Sequence, residues 1–143
     1  TGVGKINMVV AIAELSALYP PKAEDIIVNY GSCAVKNCAV GSIFMCNKIV
    51  EELTARTFYP DMLYQHPFAE ACLHTVEKEK LENLADDCIY DMEAAAFYQG
   101  AAFYYGPHQM LFLKVVTDHG DIHFTNSLKN LFKNQFPCKK YRK

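Results

Sequence analysis

Carboxylate side chains stand at two places in this sequence where they could do chemistry together. Asp91 and Glu93 precede an alanine-rich stretch, and Asp118 follows the apolar run 110–116. The first pattern is typical of the start of a helix and the second of the end of a buried strand. Because open α/β sheets bind ligands at the carboxyl ends of their strands, we expect these acids to meet in one crevice. This arrangement is typical of an enzyme, although it does not define a reaction.

Each of these positions also has a purely structural explanation. Asp91 is a good N-cap residue, and the helix dipole would stabilise Glu93 in the first turn. Asp118 could form a turn after its strand, and Gly31-Ser32 could form another. The residue pattern alone therefore leaves capping, turn formation and a role in a site open.

Histidines near Asp118 raise the alternative of a metal site. His119 and His123, together with Asp118 and Asp121, could bind a metal ion in a metal-dependent hydrolase. Their spacing matches none of the common zinc-binding patterns, and surface histidines explain them better. We therefore predict no metal and no cofactor.

The elements that must position these residues follow from hydrophobic periodicity and from the places of glycine and proline. We predict helices over residues 6–18, 92–104 and 127–132, strands over 25–30, 42–46, 88–90 and 110–116, a surface loop over 54–68, and a helix-permissive stretch over 76–84. This order predicts an α/β fold with three layers, in which helices flank a mixed, mostly parallel central sheet. A chain of this length has room for a single domain over residues 1–143.

Composition narrows the classes of protein further. Hydrophobic residues make up 51% of the chain and charged residues 21%, which is typical of a globular domain. The formal net charge of −2 gives no electrostatic footprint for nucleic acid. The apolar stretch 8–19 contains Glu14 and is too short to span a bilayer. We predict a cytoplasmic protein with neither a nucleic-acid nor a membrane partner.

The cysteines of the chain contain no Cys-x-x-Cys pair. Several lie in apolar runs, where a thiol behaves as a small hydrophobic side chain. We therefore expect reduced core residues rather than a disulfide framework at these positions: Cys33, Cys38, Cys46, Cys72, Cys88 and Cys138.

Five short motifs follow one another along the chain. They are Thr1-Gly2-Val3-Gly4-Lys5, Asn29-Tyr30-Gly31-Ser32-Cys33-Ala34, Val40-Gly41-Ser42, Asp91-Met92-Glu93-Ala94-Ala95 and Val116-Thr117-Asp118. In this order they resemble landmarks of the nucleoside phosphorylase and nucleosidase superfamily, and most closely those of 5′-methylthioadenosine/S-adenosylhomocysteine nucleosidases. Each motif alone is a weak signal, but five in the same order are specific. The resemblance covers roughly residues 1–50 and 88–121.

The resemblance implies cleavage of the N-glycosidic bond between ribose and a purine. Such chemistry needs an acid that neutralises the departing base and groups that hold the sugar while positive charge develops on it. By resemblance, Asp118 would protonate the purine with the help of Thr117.

By the same resemblance, four residues would bind the ribose. Met92 and Glu93 would hold it, Glu93 by accepting hydrogen bonds from its hydroxyls. Gly31 and Ser32 would line the floor of the site, with their backbone amides close to the sugar or its nucleophile, because glycine permits close approach.

The nucleophile could be water or phosphate. Several phosphorylases of this superfamily have an arginine, which grips phosphate bidentately, where this chain has Asn29. That difference favours hydrolysis, although Lys114 or Arg56 could still bind phosphate. The alternatives are therefore a phosphate-dependent purine nucleoside phosphorylase and a catalytically impaired nucleoside-binding relative.

Two departures from the superfamily pattern concern the completeness of the domain. Members usually have a strand before the first motif and a longer stretch than residues 63–90 for stacking on the purine. We therefore expect a domain that is incomplete at its N-terminus and before residue 91.

Members of the superfamily also form oligomers in which a loop completes the neighbouring pocket, so we predict a homo-oligomer with loop 54–68 in that role.

Overall fold

The computed structural model describes residues 4–78 and 84–120 and shows a mixed α/β fold. Its elements in chain order are α1 (Lys5–Leu18), β1 (Ile27–Ala34), β2 (Ile43–Glu51), β3 (Arg56–Phe58), β4 (Ala69–Thr75), β5 (Cys88–Asp91), α2 (Ala94–Ala101), a 3₁₀ turn (Pro107–Gln109) and β6 (Met110–Asp118). Within these described ranges, no helix is both long enough and apolar enough to cross a membrane.

The six strands form one sheet in the order β3-β2-β4-β5-β1-β6, and β2 also pairs with β6. The longer ladders, β1–β6, β2–β4 and β4–β5, are parallel. The shorter ladders, β2–β3, β2–β6 and β1–β5, are antiparallel. The predicted mixed, mostly parallel sheet is therefore present, but the β2–β6 pair closes it into a barrel-like shape.

Helix α2 packs on one face of the sheet, and α1 packs on α2. Phe97 of α2 meets Phe112 of β6 edge to face, with ring centroids 5.2 Å apart. Helix α1 then packs on α2 at Gly100, where an added Cβ would lie 3.4 Å from Ile12 Cδ1. Glycine thus lets the two helices approach closely.

The predicted three-layer arrangement is present only in part. In the described residues, helices stack on one face, whereas β1 side chains on the other face, such as Val28 and Tyr30, are 44% and 40% exposed. The physical reason for the difference is the β2–β6 pair, which curls the sheet and closes it instead of leaving an open sheet between helical layers.

Some of the helices, strands and turns predicted from the sequence are present in the structure and others are not. The first helix and the strand over 110–116 are confirmed by α1 and β6. The tight turn predicted at Gly31-Ser32 is wrong, because β1 continues through these residues, which stand opposite Lys114 and Val115 of β6.

The region between β2 and α2 departs further from prediction. The predicted surface loop 54–68 contains strand β3, which pairs with β2. Strand β4 was not predicted at all. The helix-permissive stretch 76–84 lies partly outside the described residues, and the helix over 127–132 lies wholly outside them.

Substitution of two phenylalanines, one buried and one exposed, should change the stability of the protein by very different amounts. Phe112 is fully buried against α2, whereas Phe103 is 86% exposed. We expect Phe112→Ala to lower the free energy of unfolding by about 3–5 kcal/mol, because it leaves a cavity in the core. Phe103→Ala, the matched control, should change it by less than about 0.5 kcal/mol. Urea denaturation followed by circular dichroism measures both, and equal effects would contradict this packing.

Candidate active site

A buried ion pair lies between β5 and β6. Lys114 Nζ is 2.9 Å from Asp91 Oδ2, and the two side chains are 3% and 1% exposed. Isolated charges are strongly disfavoured away from water, so each of these groups is tolerated because the other neutralises it. From the sequence, Lys114 is only a possible phosphate ligand, and its pairing with Asp91 is evident only in the structure.

The same carboxylate starts helix α2. Asp91 Oδ2 accepts a hydrogen bond from Ala94 N at 2.8 Å, and Asp91 Oδ1 accepts one from Thr75 Oγ1 at 2.8 Å. Thr75 Oγ1 in turn accepts from Ala95 N at 3.0 Å. These bonds satisfy amides in the first turn, which have no partner inside the helix. Glu93 rather than Asp91 takes the N-cap position, but the Asp91 side chain still accepts the first amide of the helix.

Gly31 provides the space through which Lys114 reaches Asp91. The two residues stand opposite each other in the β1–β6 ladder, and a Cβ on Gly31 would lie 3.3 Å from Lys114 Nζ. The close approach expected at Gly31 is thus made by an ammonium group of the protein itself. Ser32, the next residue, is exposed.

Glu93 links the starts of the two helices. Its backbone is at the N-cap position of α2, and its Oε1 accepts a hydrogen bond from Gly4 N at 2.8 Å. Gly4 immediately precedes α1 and has a φ of 103°, which favours glycine. The carboxylate of Glu93 is therefore held where residues of the first and fourth motifs meet.

Asp118 is held from both sides at the end of β6. Thr117 Oγ1 donates to Asp118 Oδ2 at 2.9 Å and has Cys33 O as a second acceptor at 3.3 Å. Gly120 N donates to Asp118 Oδ1 at 2.9 Å, and the φ of Gly120 is 83°. The turn expected after Asp118 is confirmed, and both carboxylate oxygens have fixed positions.

The ends of β5 and β6 lie on either side of the end of β1. Ala34 stands opposite Tyr90 in one ladder and opposite Asp118 in the other. Two strand spacings separate Tyr90 from Asp118, which is about 10 Å. Met92, just beyond β5, packs against the small apolar cluster that contains Tyr90.

Charged groups on β5 and β6 both influence the pKa of the Cys33 thiol. Burial raises the pKa of Cys33 to about 12; Lys114 opposes this rise, and the carboxylates of Asp91 and Asp118 add to it. The two acids and the lysine are therefore all within electrostatic reach of one buried sulfur atom.

Of the four residues considered for a metal site, only Asp118 and His119 lie within the described part of the chain. His119 Nδ1 lies 2.8 Å from Val35 O, so the backbone orients this ring. Asp121 and His123 lie outside the described residues.

Among known proteins, this chain matches solved structures but no family model and no curated protein. A 5′-methylthioadenosine/S-adenosylhomocysteine nucleosidase from Chlamydia trachomatis aligns over 91% of this chain with a TM-score of 0.70 and 19% identity. The alignment covers 65% of that protein, so this chain spans just under two thirds of its length.

Two further nucleosidase structures agree. The enzyme from Streptococcus pneumoniae, solved with a transition-state inhibitor, aligns over 94% of this chain and 70% of its own, with a TM-score of 0.66 and 18% identity. The enzyme from Colwellia psychrerythraea, in complex with adenine, aligns over 82% and 62%, with a TM-score of 0.65 and 18% identity. This chain has the nucleosidase fold. The resemblance inferred from the five motifs is therefore confirmed at the level of structure.

The buried ion pair of this nucleosidase fold predicts a large effect of removing one charge. Lys114→Met leaves the Asp91 carboxylate buried without a counterion, and we expect a loss of about 3–5 kcal/mol in the free energy of unfolding. Lys36→Met is the control, because the pair between Lys36 and Asp86 is largely exposed. It should cost less than about 1 kcal/mol.

A second substitution separates charge from packing in this experiment. Asp91→Asn retains an acceptor for the α2 amide but removes the charge, so Lys114→Met with Asp91→Asn should recover part of the loss in urea denaturation. A double variant no more stable than Lys114→Met would contradict the electrostatic explanation.

Proposed function

We propose that this protein is a purine nucleosidase that cleaves the N-glycosidic bond of methylthioadenosine or S-adenosylhomocysteine. The observation that carries the proposal is the register at Ala34, which stands opposite Tyr90 in one ladder and opposite Asp118 in the other, so that β5, which leads to Glu93, and β6, which ends at Asp118, flank the end of β1. The shared fold supports it, and a structural relative from C. trachomatis has been solved bound to methylthioadenosine.

Asp118 is the proposed acid for the leaving purine. Positive charge develops on the sugar as the base departs, and proton transfer to the base removes the negative charge that would otherwise accumulate there. The bonds from Thr117 and Gly120 fix both oxygens of Asp118, so little reorientation is needed during the reaction. Thr117 is assigned this positioning role.

The ribose is proposed to lie between the ends of β1 and β5. Gly4 engages Glu93 Oε1, and the second oxygen of this carboxylate would accept hydrogen bonds from the ribose hydroxyls. Met92 would pack against the sugar from the apolar cluster beside Tyr90. Gly31 and Ser32 would contribute the floor.

Water is the proposed nucleophile. Of the two cations considered for phosphate, Lys114 is paired with Asp91. Arg56 Nη1 donates to Gln99 Oε1 at 3.0 Å, and its guanidinium carbon lies 5.5 Å from the Phe58 ring centroid. Both charges are therefore engaged within the protein, which supports hydrolysis over phosphorolysis.

The proposal extends to the domain content, the oligomeric state and the location of the protein. We propose one nucleoside phosphorylase-like domain over residues 1–143 and a homo-oligomer in the cytoplasm. The segment between β3 and β4 would contact the neighbouring subunit. Its exposed side chains support that role, since Leu63 is 70% exposed and Tyr64 45%.

Base release tests the reaction. The full-length protein is incubated with methylthioadenosine, S-adenosylhomocysteine, adenosine or inosine, with and without phosphate, and the free base is measured by chromatography. We expect adenine release without phosphate. No release of any base would contradict the enzyme proposal, and release only with phosphate would contradict hydrolysis.

Two variants test the residue roles. Asp118→Asn should lower kcat by about 10²–10⁴-fold, because it removes the proton donor. Glu93→Gln should lower kcat/KM, because a neutral amide stabilises the developing positive charge less well than a carboxylate. Asp86→Asn is the control, since its side chain is 69% exposed and its partners in the described part of the chain include the surface residues Lys36 and Asn37. Equal activities of Asp118→Asn and Asp86→Asn would rule out the proposed acid.

A further inference from the structure

Three side chains that the nucleosidase proposal does not use lie together on β4 and β5. One ligand atom from each of Cys72, His74 and Cys88 lies within 4.8 Å of the other two. Cys72 and His74 are two residues apart and so share one face of β4, and Cys72 stands opposite Cys88 in the parallel ladder. We infer that these three side chains form a binding site for a zinc ion.

The ligand chemistry supports zinc. Cysteine thiolates and a histidine nitrogen are preferred ligands of Zn²⁺, and three protein ligands with one water molecule complete a tetrahedral site. With Zn–S distances of about 2.3 Å and a Zn–N distance of about 2.0 Å, ligand atoms are about 3.5–3.8 Å apart. Contraction by about 1.3 Å at most, within reach of small side-chain rotations, would produce this geometry.

The imidazole of His74 has the support that metal-bound histidines usually have. Glu52 Oε1 lies 3.3 Å from His74 Nδ1 and accepts its proton in a hydrogen bond. That tautomer leaves the lone pair on Nε2 for a metal. Glu52 is itself anchored, because its backbone N donates to Thr75 O at 3.1 Å. The Tyr90 ring also packs against this imidazole, with its centroid 5.5 Å from that of His74.

The cluster is also accessible to an ion. The His74 side chain is 23% exposed, and Cys72 and Cys88 are half-buried. Leu73, between Cys72 and His74, is fully buried in the main core, so the cluster faces away from α2. Asp87 Oδ1 lies 3.7 Å from Cys88 Sγ and adds negative charge beside the site.

No local pattern in the sequence indicates this site. Cys72 and Cys88 are separated by 15 residues and form no recognised pair with His74 along the chain. Only the pairing of β4 with β5 brings them together. Both cysteines are free thiols, as expected, but they are half-buried rather than buried in the core.

Cobalt binding tests the proposal. Reduced full-length protein is titrated with Co²⁺, and we expect a thiolate-to-cobalt charge-transfer band that saturates at one ion per chain and disappears on addition of Zn²⁺. Cys72→Ser and Cys88→Ser should each lose the band. Cys38→Ser should retain it, since Cys38 is half-buried but outside the cluster. No band, or a band that persists in both ligand variants, would overturn the proposal.

Two further measurements do not depend on the serine variants remaining folded. Glu52→Gln should weaken Co²⁺ binding about 10–100-fold, which is the usual effect of removing the partner of a ligating histidine. In the wild-type protein, Zn²⁺ should slow alkylation of Cys72 and Cys88 about tenfold or more and leave Cys38 unchanged, because bound thiolates are protected. Alkylation rates that are the same with and without Zn²⁺ would overturn the proposal.

Discussion

The buried ion pair between Asp91 and Lys114 is the interaction on which the arrangement of the candidate site depends. Asp91 ends β5, and its carboxylate both neutralises an ammonium group from β6 and accepts an amide of α2. Breaking such a pair leaves an uncompensated charge in the interior, so two strands and a helix are constrained together. Glu93, two residues after Asp91, takes its position from this constraint.

Strand β1 is shaped by the same interaction. Gly31 has no side chain where the Lys114 ammonium passes, and Ala34 lies between the ends of β5 and β6. A glycine that resembles part of a substrate-binding motif thus also lies in close contact with the ion pair. Motif residues near this site accordingly have structural roles and proposed chemical roles at the same time.

The predictability of each element depended on whether local or tertiary interactions decide its structure. The helix over 6–18 and the strand over 110–116 have strong local patterns, and both were found. Strand β4, over 69–75, lacks β-branched residues apart from Thr75 and is stabilised by its neighbours β2 and β5, so its sequence gave little signal. Gly31 favours a turn locally, but the β1–β6 ladder overrides that preference.

The order of the motifs predicted Asp118 and Glu93 as site residues, whereas the Lys114 partner emerged only from the sheet register. A fold shared at 17–20% identity does not define an activity, so the proposed function depends on particular side chains. At Asp118, a turn requires only the bond from Gly120 to Oδ1. The bond from the buried Thr117 hydroxyl to Oδ2 is not needed for that turn. This additional bond orients the whole carboxylate, as the role proposed for Asp118 requires.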